Sequence, residues 1–228
     1  MTQLATSPQS GDLGPLIGSC FGCDESLAGA IGRSARIRRH APHGVIIDSG
    51  EADQDIHLLA EGHARLIADS IEGRLVVIED YSVGELMGLT GLFGWDGVPA
   101  QVTAVTGART GAFANHVFVG LMSSHGAVAL AVSRMLVARL SAANRRVAEN
   151  ATLSAPGRIH AELLRRAGAT PDSTIRPMPV FAEMALALQT TRETVSRTIN
   201  GLEKRGIVRR TGDGLAIVAP HRLEEMVY

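Results

Sequence analysis

The rhythm of hydrophobic and polar positions changes twice along the chain. From about Leu16 to Val117, apolar residues come in short runs separated by turn residues. Val45-Ile46-Ile47 ends at Asp48-Ser49-Gly50-Glu51, and Ile56 to Leu59 ends at Glu61-Gly62. His63 to Ile67 and Leu75 to Glu79 flank Glu72-Gly73, which is a hairpin signal. Glycines 84, 88, 91, 94 and 97 crowd the next stretch, and Gln101 to Val105 and Ala112 to Ala114 read as further strands. Many short strands at regular spacing predict a small β-barrel or jelly roll. One helix interrupts them early, from a cap at Asp24 to Ile31, because the Asp carboxylate can accept from the free amides of a first turn.

From Val119 to about Asn150 there is no proline, and the only glycines are at 120 and 126. Ala129, Ser133, Leu136, Leu140, Ala143, Val147 and Asn150 alternate steps of four and three, which places them on one helical stripe. A small barrel cannot wrap a helix of this length. The stripe therefore needs a partner, either its own copy across a two-fold axis or other parts of its own domain. For self-pairing, the expected contacts are Leu136, Leu140, Ala143 and Val147.

Ala155-Pro156-Gly157 breaks this helix. Arg158 to Arg166 reads as a helix with Ile159, Leu163 and Leu164 inward, and Ala169 to Pro179 as a loop. Phe181 to Leu188 is a helix, Gln189-Thr190-Thr191 a tight turn, and Thr191 to Arg205 a second helix that buries Val195, Ile199 and Leu202 and stops at Gly206. Ile207 to Arg210 and Leu215 to Val218 flank Thr211-Gly212-Asp213-Gly214 as a β-hairpin. The fold class is α+β: a tail over 1–14, a jelly roll over 15–117, a long helix suited to dimerisation over 118–153 and a winged helix-turn-helix over 154–228.

In such a unit the second helix enters the major groove and presents its N-terminal residues to base edges. Arg192, Glu193, Ser196 and Arg197 lie on its exposed side. Arg can donate two hydrogen bonds to guanine O6 and N7, and Glu can accept from cytosine N4. Thr191 and Thr194 sit where hydroxyls meet phosphates. A solvated helix carrying a Glu–Arg pair four apart is the alternative, and the complete order of helix, turn, helix and wing argues against it.

Composition sharpens this reading only locally. The net charge of the 228 residues is −1, yet residues 155–228 hold 11 Lys and Arg against 8 Asp and Glu, a mildly basic end on an acidic body. No run of about 18 apolar residues suggests a membrane span. The polar N-terminus lacks the order of a signal peptide, so a cytoplasmic protein is expected. Two cysteines imply no disulfide framework. No nucleophile–base set, phosphate loop or metal-ligand pattern is present, so no catalytic residue, metal or cofactor is assigned, and an enzyme is not expected.

The chain resembles the Crp/Fnr family of bacterial transcription regulators. The resemblance is carried by Glu61-Gly62 after a strand, Gly84-Glu85-Leu86-Met87-Gly88, the long helix, Pro156-Gly157-Arg158-Ile159, and Thr191-Arg192-Glu193-Thr194-Val195-Ser196-Arg197. It implies a homodimer that binds a palindromic site on double-stranded DNA, with RNA polymerase as a further partner. Arg192, Glu193 and Arg197 match the base-reading positions of the cyclic-AMP receptor branch, and Glu193, Ser196 and Arg197 those of the oxygen-sensing branch. Half-sites like TGTGA and TTGAT both remain open. Gln189 departs from the glycine usual at that turn; at positive φ it costs about 1 kcal/mol.

The resemblance also bears on the sensor. Cyclic-nucleotide members use a Glu for the ribose and an Arg-Ser pair for the phosphate; here Leu89 and, with one deletion, Val98-Pro99 take those places. Ala143-Asn144 fall at the base contacts. A buried phosphate without a cation is costly, so no response to cAMP is expected. Leu89, Val98, Pro99, Val102 and Asn144 could line a site for an unidentified small-molecule effector, or Leu89, Val98, Pro99 and Val102 could be filled core. Cys20 and Cys23 supply two thiolates where a cluster needs four ligands, Thr110 stands where that branch has its central cysteine, and His40 and His43 read as surface residues. A redox- or haem-dependent regulator using Cys20 and Cys23, or a histidine, is the alternative.

Overall fold

The computed structural model describes residues 12–48, 55–69, 75–93 and 100–227. Most of the N-terminal tail, the turns at 49–51 and 72–73, and Gly94, Gly97, Val98 and Pro99 lie outside the described residues. The chain divides into two compact units, Met1–Arg139 and Leu140–Tyr228.

The first unit opens with α1 (Gly14–Phe21) and α2 (Glu25–Ser34). The expected cap is present: Asp24 accepts from the Leu27 N–H at 2.8 Å. The strands follow as β1 (Arg36–His40), β2 (Val45–Ile47), β3 (Ile56–Glu61), β4 (Ala64–Asp69), β5 (Leu75–Tyr81) and β6 (Leu86–Met87). After a 3-10 turn at Leu89–Phe93 come β7 (Gln101–Ala104) and β8 (Ala108–Phe113). They form two four-stranded antiparallel sheets, ordered β1-β8-β3-β6 and β2-β7-β4-β5. Leu59, Met87 and Ala108 meet Ile46, Val102 and Ala104 in one cluster shared by the two sheets. The opposite face of the first sheet, with Ile56, Leu58, Leu86 and Phe113, packs under Ile17, Phe21 and Ile31 of the helices. This is the expected jelly roll, with helices laid over one sheet. At Gly62 (φ 87°) a side chain would run into the Gly107 carbonyl, which explains the Glu61-Gly62 signature.

The long helix differs from expectation at its start. Instead of one helix from Val119 there are two, α3 (Asn115–Ser124) and α4 (Gly126–Thr152), separated by His125 in an extended conformation. Val128, Ala131 and Val132 of α4 are buried in the first unit's core. Arg139 donates to the Leu86 carbonyl, lies 2.9 Å from Glu79 and stands 5.0 Å over the Tyr81 ring. By length and composition alone α4 could cross a membrane. Its core residues and the Arg139 ion pair instead tie its first half to the barrel.

In the second unit the break falls at Leu153-Ser154 rather than at Ala155-Pro156-Gly157. Those three residues form the first turn of α5 (Ala155–Gly168), where proline needs no amide partner and Ser154 caps the Gly157 N–H at 3.2 Å. Then come β9 (Thr174–Ile175), α6 (Phe181–Ala187), α7 (Arg192–Lys204), β10 (Val208–Arg210), β11 (Leu215–Ile217) and α8 (Pro220–Glu224). The expected two-stranded wing is part of a three-stranded sheet, β10-β11-β9. Ile159, Leu163, Met184, Val195, Ile199, Leu202, Ile207, Leu215 and Leu223 share one core.

Candidate nucleic-acid interface

Helix α7 is amphipathic by construction. Val195, Ile199 and Leu202 fall at spacings of four and three and are buried. The opposite side, with Arg192, Glu193, Ser196, Arg197, Asn200, Gly201 and Lys204, lines a shallow open groove. Four of the six sequence-predicted readers, Arg192, Glu193, Ser196 and Arg197, line this groove, while Thr191 and Thr194 are not among its lining residues.

The start of α7 is fixed by its cap. Thr191 Oγ1 accepts from the Thr194 N–H at 3.2 Å, and the two threonine hydroxyls lie 3.0 Å apart. The hydroxyls expected to meet phosphates are thus tied to each other in the free protein. The free amide of Glu193 itself, then the Thr191 hydroxyl and the Arg192 charge, hold the Glu193 carboxyl below its ordinary range, so it is ionised and acceptor-only at neutral pH. Among the described residues, neither Arg192 nor Arg197 has an ion pair, and no Glu193–Arg197 pair forms. Their donors are free to meet a ligand.

The turn before α7 is strained and braced. Gln189 has φ 50°, the left-handed conformation anticipated for this position. The Thr190 N–H donates to the Ala185 carbonyl at 2.9 Å. Arg158 reaches across from α5, donating to the carbonyls of Leu153 at 3.1 Å, Leu188 at 3.2 Å and Gln189 at 3.4 Å. Sequence reading noted Arg158 only as part of a motif. Its role is to hold the helix-turn-helix bend to the preceding helix through carbonyls that would otherwise lack partners.

Along α4, Leu136, Leu140 and Val147 are 44%, 61% and 69% exposed, and Ala143 is half-buried. Large apolar residues left open at spacings of four and seven make an unpartnered seam.

The residues expected to line an effector site fare differently. Leu89 packs in the cluster under the helices, whereas Val102 belongs to the cluster between the sheets. The structure does not bring them together. Val98 and Pro99 lie outside the described residues, and Asn144 is exposed on α4. Cys20 and Cys23 are free thiols, both pushed up by burial, Cys23 also by the Asp24 charge. Among the described residues no three metal-ligating side chains converge.

Sequence reading missed a buried polar chain. Thr110 is fully buried, with His57 Nδ1 and His40 Nε2 each 3.1 Å from its hydroxyl. His40 thus turns inward instead of lying on the surface as expected, because β1 pairs with β8 and sets Arg38 opposite Thr110. Burial first, then the Arg38 charge, pushes His57 down to about 4, with Asp55 opposing and His40 and Arg36 adding to the depression.

Comparison with known proteins agrees with this anatomy. The cyclic nucleotide-binding domain model matches residues 37–125, and the Crp-like helix-turn-helix domain model matches residues 157–226. Among solved structures, a CooA mutant from Carboxydothermus hydrogenoformans is similar at 19% identity and TM-score 0.76, covering 87% of this chain and 90% of its own. FixK2 from Bradyrhizobium japonicum is similar at 17% identity and TM-score 0.70, covering 85% of this chain and 98% of its own. The regulator CLP of Xanthomonas campestris, described as c-di-GMP responsive, is similar at 18% identity and TM-score 0.70, covering 85% and 99%. No curated protein matches the chain in sequence. The two domain models, in this order, define a DNA-binding transcription regulator with a cyclic-nucleotide-binding-like domain. The chain thus carries a cyclic nucleotide-binding domain followed by a Crp-like helix-turn-helix domain.

Proposed function

We propose that this protein is a homodimeric, sequence-specific transcription regulator that binds a palindromic operator and does not respond to cAMP. The observation that carries the reading is the exposed face of α7: Arg192, Glu193, Ser196 and Arg197 stand together, with neither arginine in an ion pair among the described residues. Unpaired guanidiniums beside an ionised carboxylate suit base edges, which offer both acceptors and donors.

In this reading residues 15–117 sense, 118–153 dimerise through Leu136, Leu140, Ala143 and Val147, and 154–228 read DNA. The open seam on α4 supports the dimer, since a two-fold axis covers it and sets two recognition helices to face successive major grooves. Thr191 and Thr194 contact phosphates once their mutual hydrogen bond opens. The cell compartment is the cytoplasm, where DNA and RNA polymerase, the second partner, are found.

The separation of Leu89 from Val102 favours filled core over an apolar pocket at those two positions. The fold itself leaves room for effectors other than cAMP, as the c-di-GMP-responsive relative illustrates. Thiols raised by burial make poor nucleophiles, so a redox role for Cys20 and Cys23 is disfavoured.

The test is fluorescence anisotropy, without added ligand, on duplexes carrying palindromic TGTGA or TTGAT half-sites and on a scrambled duplex. A preference of about a hundredfold for one of them identifies an effector-independent regulator and its branch. Equal weak binding to all three contradicts effector-independent recognition of these sites.

A further inference from the structure

The groove face of α7 carries a polar side chain beyond those read from sequence. Asn200 lies one turn past Ser196, and Arg210 reaches it from β10. Arg210 Nη2 donates to Asn200 Oδ1 at 2.6 Å, and Nη1 to Glu203 Oε2 at 2.5 Å. The Arg210 backbone N–H is 3.5 Å from Glu203 Oε1. A guanidinium has only donors, so the amide atom facing it must be the oxygen. The Asn200 NH₂ is thereby turned the other way, where it lies 3.4 Å from Ser196 Oγ.

This orientation has a chemical consequence for Ser196. A free serine hydroxyl is a rotor that can donate or accept, and it discriminates poorly between base edges. With a lone pair engaged by the Asn200 amide, its proton points away from Asn200, and among the described residues no carbonyl four back accepts it, in contrast to Ser133, so it is available to the groove. The wing holds the far end of the chain in place: Arg210 pairs with Leu215 in the β10–β11 ladder, and Leu215 is fully buried. Arg210 is also a poor candidate for a phosphate contact, because its guanidinium is already engaged by Asn200 and Glu203. Arg209, exposed beside it and without a side-chain partner among the described residues, suits that task better.

We propose that Arg210 and Asn200 are positioning residues for base reading, which together fix the Ser196 hydroxyl as a hydrogen-bond donor, so that the base facing Ser196 must present an acceptor. Guanine O6 or N7, adenine N7 and thymine O4 qualify; the cytosine amino group does not. The inference rests on α7 being the DNA-reading helix, and it adds one position of specificity set from the wing.

The experiment is selection from random duplexes by the full-length protein and its variants, followed by anisotropy over a salt series. Asn200→Asp keeps an oxygen for Arg210 but removes the donor to Ser196, whose proton then turns inward. Preference at one half-site position should shift about tenfold from acceptor-bearing to donor-bearing edges, with the other positions unchanged. Arg210→Lys keeps the charge but cannot bridge two acceptors in a fixed fork, so it should relax that same position and leave the salt slope as in the wild type.

Uniform weakening across all sequences by Asn200→Asp overturns the proposal. So does an Arg210→Gln variant that lowers the salt slope by about one counterion while base preference stays intact, since Arg210 would then be a phosphate contact. Ser196→Ala removes the reader without touching the wing and covers the case of a misfolded variant. It should lose preference at the same single position, and no change there also overturns the proposal. A wild-type protein that selects no sequence refutes the DNA-reading assignment itself, an outcome separate from all of these.

Discussion

Acid should destabilise the first unit through His57. The side chain is 2% exposed, and burial with the Arg38 charge lowers it from 6.5 to about 4. Between those values the unfolded chain binds a proton at His57 that the folded chain does not. Stability therefore rises with pH across the window, is fully present above about 6.5 and levels off below about 4. The depression corresponds to about 3 kcal/mol in full, of which about 2–3 kcal/mol is lost by pH 4.5. His40, lowered by its own burial, acts in the same direction, as does His160 in the second unit. A His57→Gln variant isolates the effect. Urea unfolding at pH 7.5 and 4.5, with hydrogen exchange over β3 and β8 assigning the change to the first unit, should show a clearly smaller loss in the variant. An equal acid loss in both proteins would refute the reasoning, and would mean that the Thr110 chain keeps His57 protonatable in place.

Gln189→Gly should stabilise the second unit by about 0.5–1 kcal/mol, read as a shift in the urea midpoint, because glycine adopts φ 50° without strain and the Gln189 carbonyl still accepts from Arg158. Leu140→Asp should convert the proposed dimer to monomer in sedimentation velocity while the dichroism spectrum is retained, since Leu140 is 61% exposed in the single chain and belongs to none of its core clusters. Arg139→Gln should destabilise the first unit by about 1–3 kcal/mol, measured by chemical denaturation, because it leaves Glu79 without its cation and the Leu86 carbonyl without its donor.

The recognition unit was legible in the sequence because several local signals agree there. Thr191 caps, the Val195, Ile199 and Leu202 spacing buries one face, and Gly206 ends the helix at φ 67°. Even the strained turn could be anticipated, from Gln189 standing where glycine is usual. The first strand was not legible. Arg36-Ile37-Arg38-Arg39-His40 looks like a solvated charge run, and only the tertiary partners Asp55 and Thr110 make it a strand. Helix α1 was hidden by its Gly and Pro content, although Leu13, Ile17 and Phe21, four apart and all buried, carry the signal. The network from Arg210 to Ser196 joins residues 14 apart across the turn at Gly206 that leads from α7 into β10. Nothing in the linear spacing marks it, because the contact depends on how the wing folds back on α7.

The central claim, that α7 reads DNA, is tested most directly by Arg197→Ala on the best-binding duplex. The account predicts a loss of about 1–3 kcal/mol in specific affinity, with binding to scrambled duplex nearly kept and the dimer intact by sedimentation. Unchanged affinity for the selected duplex would contradict the placement of this helix in the major groove.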